Sequence, residues 1–295
     1  MKKRKKIRLG QIFLNLGITL LSIAVIAPFI LLVSISLSNE TDIARNGYSF
    51  IPRQIDFSAY EYVFKNATSV INAYEVTIFI SVVTMVLGVL LMSLIAYPLS
   101  KRTYKAKKPL SFYLYFTMLF SGGMVPSYIL MTQYLHLGNT IWVYIIPSLM
   151  NPWYVFMMRT FFSGIPVEMM ESASIDGAGE YRILFRIVLP LSKPVLATVA
   201  LFTFLNKWND WYTAMLYIQD DKLVSLQYLL QRIMLNMQML RNSTMDISSF
   251  MSTSDIPMET ARMAMAVVVA GPALLVFPFF QKYFVRGLTV GGVKG

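Results

Sequence analysis

Two stretches concentrate the polar chemistry of this chain. In the first, Asn206-Lys207-Trp208-Asn209-Asp210-Trp211-Tyr212 interrupts an otherwise apolar run. Amides offer donors and acceptors to hydroxyl groups, and indole and phenol rings offer apolar faces to stack on. Asn206, Trp208, Asn209, Trp211 and Tyr212 therefore suit a hydroxyl-rich ligand. Lys207 and Asp210 sit three apart and can pair on one helix face. A charge at membrane depth costs about 2.5–3.5 kcal/mol on insertion scales, so such residues pair, face a bundle interior or meet water. Pairing and ligand contact both fit this stretch.

The second runs from Glu168 to Pro194 and is balanced in charge. Counted from Arg159 to Lys193, Glu168, Glu171, Asp176 and Glu180 are offset by Arg159, Arg182, Arg186 and Lys193, with Gly177 at the middle. Neither stretch carries a hydrolytic or redox constellation. The chain has no cysteine and one histidine, His136, in a short external turn where it is read as exposed. Disulfides and a His/Cys metal site are excluded, and Walker A, GxGxxG and HExxH patterns are absent, so the chain neither binds nor splits a nucleotide by itself. An intramembrane enzyme would need a nucleophile with a base or paired carboxylates, which Asp210 with Lys207 does not supply.

These residues must be positioned by membrane helices. Hydrophobic residues make up 56% of the chain and charged residues 14%, with a mean hydropathy of +0.56. A soluble domain would be about 25% charged. At about 20 apolar residues per crossing, six spans are expected, near 12–37, 72–99, 110–132, 140–162, 195–217 and 260–284. The net charge of +11 is distributed by side. Lys2, Lys3, Arg4, Lys5, Lys6 and Arg8 precede the first span, Lys101, Arg102, Lys105, Lys107 and Lys108 follow the second, and Lys282, Arg286 and Lys294 follow the last. The long connections 38–71 and 219–259 carry more acid than base. That asymmetry puts both termini and the 100–109 and 163–194 loops in the cytoplasm, and disfavours nucleic acid as a partner. The first apolar run is too long for a cleaved signal peptide.

Phe57, Tyr60, Tyr62 and Phe64 in the 38–71 connection read equally as a headgroup-level belt or a docking surface for a partner. Gly122-Gly123, Pro126, Pro147, Pro152, Gly271-Pro272 and Pro278 fall inside predicted spans. Helix breakers at membrane depth are tolerated where neighbouring helices or a lined cavity satisfy the freed backbone groups. Leu226, Leu229, Leu230, Ile233, Met234 and Met237 form one face of an amphipathic helix. Residues 242–256 read as loop. Arg262 reads as snorkelling to headgroups, although with Lys207 it could favour an acidic ligand.

Residues 166–194 read as two short helices. Pro166 suits a helix start, and Val167, Met170, Ser174 and Gly177 fall along one face. Gly177 can take the left-handed conformation that ends a helix. From Glu180 a second helix puts Leu184, Ile187 and Val188 on one side, with Arg182 and Arg186 on the other. Pro190 ends or kinks it. The alternative is an amphipathic helix lying on the membrane surface.

Here the residues resemble a known family. Glu171-Ser172-Ala173-Ser174-Ile175-Asp176-Gly177-Ala178, followed by Ile187-Val188-Leu189-Pro190, is similar to the EAA loop of binding-protein-dependent ABC importer permeases, with Ser172 standing for the first alanine. The ending Gln281 to Gly295 resembles carbohydrate-type permeases, the smaller maltose permease among them. Ile55 to Tyr60 and Ser225 to Leu229 resemble that group's external segments. The subgroup it resembles handles pectin- or alginate-type oligosaccharides. The resemblance implies a type I ABC importer permease fold: an all-α, six-helix, multi-pass protein of the bacterial cytoplasmic membrane. It implies a cytoplasmic N-terminus over 1–11, a permease domain over 12–285 and a tail over 286–295 reaching the ATPase interface. Implied partners are a second permease, two ATPase subunits and an extracytoplasmic sugar-binding protein. ATP and Mg belong to the ATPase, with no cofactor or metal in this chain. Glu171, Ser172, Ala173, Asp176, Gly177, Leu189 and Pro190 would couple to the ATPase, and the 206–212 residues would line the sugar path. The competing expectations are a permease for another solute and an ATP-independent transporter; internal repeats and buried carboxylate relays, which mark the latter, are missing.

Overall fold

The computed structural model describes residues 9–65, 67–243 and 258–290. Most of the 242–256 loop, the basic residues before Leu9 and the end of the tail lie outside them. The secondary structure is helical, and the described residues pack as two units: residues up to Ala67 with Arg232–Ala270, and Thr68–Gln231 with the chain from Gly271.

In the first unit, α1 (Leu9–Ser36) is apolar around its whole circumference, with large side chains exposed along its length. A helix hydrophobic all round belongs in lipid or against another membrane helix. Beyond it, α2 (Glu40–Asn46) and α3 (Ser58–Phe64) are tied by a bridge between Ser38 and Ile55. Asn39 Oδ1 accepts from the amides of Thr41 and Asp42 and caps α2, while Asn39 Nδ2 donates to Asp56 Oδ2 at 2.7 Å. Asp56 Oδ1 accepts from the Ser58 amide at the start of α3. That backbone bond, with the side-chain bonds from Ser58 and Asn39, holds the Asp56 carboxyl below the usual carboxylate range against a smaller desolvation effect.

The second unit is built on α4 (Ala67–Ser100), whose 34 residues reach about 50 Å at 1.5 Å per residue, well beyond a hydrocarbon core of about 30 Å. Its C-terminal half, through Met92, Ala96 and Leu99, packs against α5 (Lys107–Leu119) at Leu114. The chain continues through α6 (Met124–Ile129), α7 (Trp142–Ile145) and α8 (Pro152–Ser163). Val155, Met158 and Phe162 of α8 join the same core, while Val76 and Ile80 of α4 meet Val143, Tyr144 and Ile145 of α7 in a second one. Gly88 lets α4 close on the 149 backbone, since a Cβ there would sit 3.2 Å from the Leu149 carbonyl oxygen.

Next come α9 (Val167–Ile175), α10 (Glu180–Ile183), α11 (Leu189–Leu191), α12 (Lys193–Trp208) and α13 (Tyr212–Tyr217). The amphipathic pattern at 226–237 is a helix, α14 (Leu226–Ser243), whose Leu226 amide is capped by Thr77 Oγ1 at 2.8 Å. The last helix is α15 (Met258–Val290).

The expected spans are less regular than their hydropathy. Among the described residues, Gly10–Ser36, Ala67–Ser100 and Met258–Gln281 are uninterrupted helices long and apolar enough to cross, and two bent pairs raise the total to five. The span expected at 110–132 is α5 and α6 bent by 113°. Gly123, at φ +89°, turns the chain there, and Pro126 falls in the first turn of α6, where its missing amide costs no helix bond. The span expected at 140–162 breaks between Ile146 and Asn151, where Asn151 Oδ1 accepts from the Trp153 amide and restarts the chain as α8. The span expected at 195–217 stops at Trp208 and resumes at Tyr212. By contrast α15 runs through Gly271, Pro272 and Pro278 without interruption; a proline removes one helix bond and need not end a membrane helix.

Candidate functional site

The EAA-like residues form a compact helix-turn-helix. Pro166 leads into α9, whose first turn carries Glu168, a favourable charge at a helix N-terminus. The turn that ends α9 is a Schellman motif: the Ala178 amide donates to the Ala173 carbonyl at 2.9 Å, and the Gly177 amide to the Ser174 carbonyl at 3.1 Å. Gly177 is at φ +81° with open space where a Cβ would stand, so its requirement is conformational rather than steric.

The two helices differ in burial. In α9 no residue is buried: Glu171, Ser172 and Asp176 are exposed, Ala173 is half-buried, and Ile175 is 86% exposed. Beyond the turn, Ile183, Leu184 and Val188 are buried in the core with Met92, Ala96, Tyr97 and Leu99 of α4. The arginines Arg182 and Arg186 face outward. Between α10 and α11 the helix widens over Leu184–Val188, where the Leu189 amide bonds the Leu184 carbonyl five residues back. That wide turn admits Pro190, whose ring would clash in a regular α-turn. Leu189 packs half-buried on the core and Pro190 is exposed. At Ser192 the chain bends by 83° into α12.

Glu180, the first residue of α10, is tied to the end of α4. Its Oε2 accepts from Tyr97 Oη at 2.6 Å and from Lys101 Nζ, and the Lys101 ammonium lies 4.8 Å from the centre of the Tyr97 ring. The Lys101 bond foremost, then the Tyr97 bond, hold the Glu180 carboxyl below its ordinary range, against desolvation. A cavity of about 810 Å³ lies beside this cluster, lined by Tyr104, Lys105 and Tyr181 among others. Sequence reasoning gave Glu180 only a helix start and Lys101 only a basic anchor, because no local pattern joins residues 79 and 83 positions apart.

The 206–212 residues separate into packed and open groups. Lys207 Nζ lies 2.6 Å from Asp210 Oδ2, with side chains 9% and 11% exposed. Asp210 also accepts from the Thr213 amide and hydroxyl, and its carbonyl accepts from Ser225 Oγ. Trp208 is 2% exposed and stacks on Phe204 at 5.6 Å. Asn206, Asn209 and Tyr212 are exposed and Trp211 is half-buried, edge-on to Tyr212 at 5.9 Å. Asn206 Nδ2 donates to Tyr154 Oη at 3.1 Å, whereas Asn209 Nδ2 turns back to the Leu205 carbonyl. Asn206, Tyr154, Asn151, Ser148, Thr203 and Lys207 line a cavity of about 220 Å³. The buried Thr203 Oγ1 has no hydrogen-bond partner among the described residues. Asn151 and Tyr154 carry no sequence signal beyond the helix breaker at Pro152 between them. In the first unit, Arg262 Nη2 lies 2.6 Å from Glu259 Oε2. Among the described residues, no cluster of three or more His, Asp or Glu could hold a metal ion.

Broken apolar helices, a polar cavity against one of them and an outward helix-turn-helix rooted in the longest span define a membrane transport subunit. Residues 76–290 match the binding-protein-dependent transport system inner membrane component family, and the chain belongs to it. It is 37% identical over 271 residues to the polygalacturonan/rhamnogalacturonan transport system permease protein YtcP of Bacillus subtilis (strain 168), covering 92% of this chain and 93% of that protein. It is 30% identical over 301 residues to the arabinooligosaccharides transport system permease protein AraQ of Halalkalibacterium halodurans, covering 99% and 100%. Among solved structures it is similar to a bacterial ABC transporter involved in the import of the acidic polysaccharide alginate, with a TM-score of 0.80, 29% identity and coverage of 96% of this chain and 100% of that one.

Proposed function

We propose that this chain is one of two permease subunits of an ATP-binding-cassette importer that brings oligosaccharides from acidic polysaccharides across a bacterial cytoplasmic membrane. The second permease, two ATPase subunits and an extracytoplasmic sugar-binding protein complete the assembly, and the ATPases carry ATP and Mg. The chain crosses six times with both termini inside, the broken segments 107–134, 142–163 and 193–217 each completing a crossing. The observation that carries the coupling role is the division of the 166–194 loop into an exposed α9 and a rooted α10. Glu171, Ser172, Ala173, Asp176 and Gly177 form the face and turn offered to the ATPase, and Leu189 and Pro190 redirect the chain into the membrane.

The sugar path runs past Asn206, Asn209, Trp211 and Tyr212, with Trp208 as the packed support beneath them and Asn151 and Tyr154 opposite. Lys207 and Arg262 are each neutralised by a carboxylate three residues away, so the acidic preference is supported by the relatives rather than by these cations.

The test is uptake by the full complex in proteoliposomes, supplied with oligogalacturonides or with maltodextrins. ATP-dependent uptake of oligogalacturonides alone supports the full proposal. Uptake of maltodextrins alone overturns the acidic preference. ATP-independent uptake overturns the importer.

A further inference from the structure

We infer that the Tyr97–Lys101–Glu180 cluster is the positioning latch by which movement of the coupling loop is passed to the long span α4. The inference rests on the coupling role proposed above and adds the side chains that transmit it. The turn joining α9 to α10, Gly177-Ala178-Gly179, has no atom within 4 Å of a Cβ at either glycine. The turn is closed by the Ala178 and Gly177 amides, and α9 meets the core through half-buried Met170 and Ala173, so force on α9 reaches the membrane through these contacts and through what holds α10. Two things hold it. Ile183, Leu184 and Val188 supply apolar packing, which is non-directional and lets surfaces slide. Glu180 supplies a directed tie at the first residue of α10, where the chain leaves the turn.

The geometry of that tie is specific. Two donors four residues apart, Tyr97 Oη in the last turn of α4 and Lys101 Nζ just past its end, converge on the same Glu180 oxygen. Tyr97 is 6% exposed and belongs to the core, so its hydroxyl is aimed by packed neighbours. Lys101 lies over the Tyr97 ring, an orientation that adds cation–π attraction. Charge-assisted bonds of this kind are shorter and more directional than neutral ones. The cavity of about 810 Å³ beside them is lined by the latch residues, by the 103–106 turn and by Tyr181. That space leaves α10 free to swing on one side while the latch makes the end of α4 follow. Broken, the latch would let α10 tilt alone, and ATP would be spent without opening the path.

The test uses the assembled importer in proteoliposomes, with sugar uptake and ATP hydrolysis measured together. Glu180→Gln and Lys101→Met should each lower uptake per ATP hydrolysed by about fivefold, the low end of coupling between two sites. The double variant should be no worse than either single, because both remove one interaction. Tyr97→Phe should lose less. Unchanged uptake per ATP in Glu180→Gln overturns the latch, as does an additive loss in the double variant. So does failure of either variant to co-purify with the ATPase, which would make the cluster a structural support. Gly177→Val serves as the control for the coupling role itself. If it abolishes sugar-stimulated hydrolysis while Glu180→Gln leaves the ratio intact, only the latch fails; if Gly177→Val stimulates normally, the coupling role fails.

Discussion

The 166–194 loop and the 206–212 stretch both place charges in an apolar chain, and the structure treats them in opposite ways. In the loop, Glu171, Asp176, Arg182 and Arg186 face outward and an isoleucine, Ile175, stands 86% exposed at the tip. In the second stretch, Lys207 and Asp210 are drawn in and closed on each other, and Trp208 is packed against Phe204 and Tyr74. The loop keeps its charges and Ile175 on the outside of the fold. The stretch instead resolves an unfavourable composition internally. Charge in the first stays on the surface, and charge in the second is closed within the fold.

Removing one member of the buried pair should give the largest effect. Asp210→Ala leaves the Lys207 ammonium buried without its partner and frees the Thr213 donors. It should destabilise the protein by about 3–5 kcal/mol, measured by thermal unfolding in detergent. The double change Lys207→Met with Asp210→Leu should recover most of that loss; if it does not, Asp210 matters through its hydrogen bonds rather than its charge.

Gly177→Val comes next. Holding a β-branched residue at φ +81° costs about 1–2 kcal/mol, confined to the turn. Membrane insertion should be normal, and sugar-stimulated ATP hydrolysis should be lost. A large fall in thermal stability instead would blur the contrast, because the loop would then also serve the fold.

A smaller effect follows pH. The folded Glu180 carboxyl titrates below its unfolded value of about 4.3, held there by Lys101 and Tyr97. Its stabilising contribution is therefore present above that value and fades as pH falls through the depressed folded value. With the Glu180 side chain 63% exposed, solvent screening limits this to about 1 kcal/mol or less. Unfolding followed at pH 7 and pH 3 should show the difference between the unaltered protein and Lys101→Met shrinking at the lower pH. The smallest stability change, within about 0.5 kcal/mol, is expected for Asn206→Ala and Trp211→Ala, which should nevertheless reduce uptake. Unchanged uptake in both would return the whole 206–212 stretch to a structural role.

Much of this architecture was legible because it is written in local terms. The helix over 226–237, the glycine that ends α9 and the i,i+3 pairing of Lys207 with Asp210 each depend on residues within a turn or two of one another. Where hydropathy alone was the guide, it blurred the breaks: an apolar run reads the same whether straight or folded by 113° between α5 and α6, and the deciding φ of Gly123 is invisible in composition. Trp208 seemed as available to a ligand as Trp211, because adjacent positions on a helix point in different directions and only the packed neighbours Phe204 and Tyr74 tell them apart. The link from Glu180 to the end of α4 has no signature, since its donors stand 79 and 83 residues away in the chain.

One detail of the first unit bears on how the protein is made. The carboxylate of Glu40 accepts from the amides of Glu259 and Thr260, each at 2.9 Å, and from the Thr260 hydroxyl, and so closes the start of α15. The two ends of this clasp are 219 and 220 residues apart. At a synthesis rate of about 5–20 residues per second, the ribosome delivers the second end roughly 10–40 s after the first. Until then the Glu259 and Thr260 donors are not available to Glu40. The clasp thus ties the start of α2 to the start of α15 only late in synthesis, after the helices between them have been made.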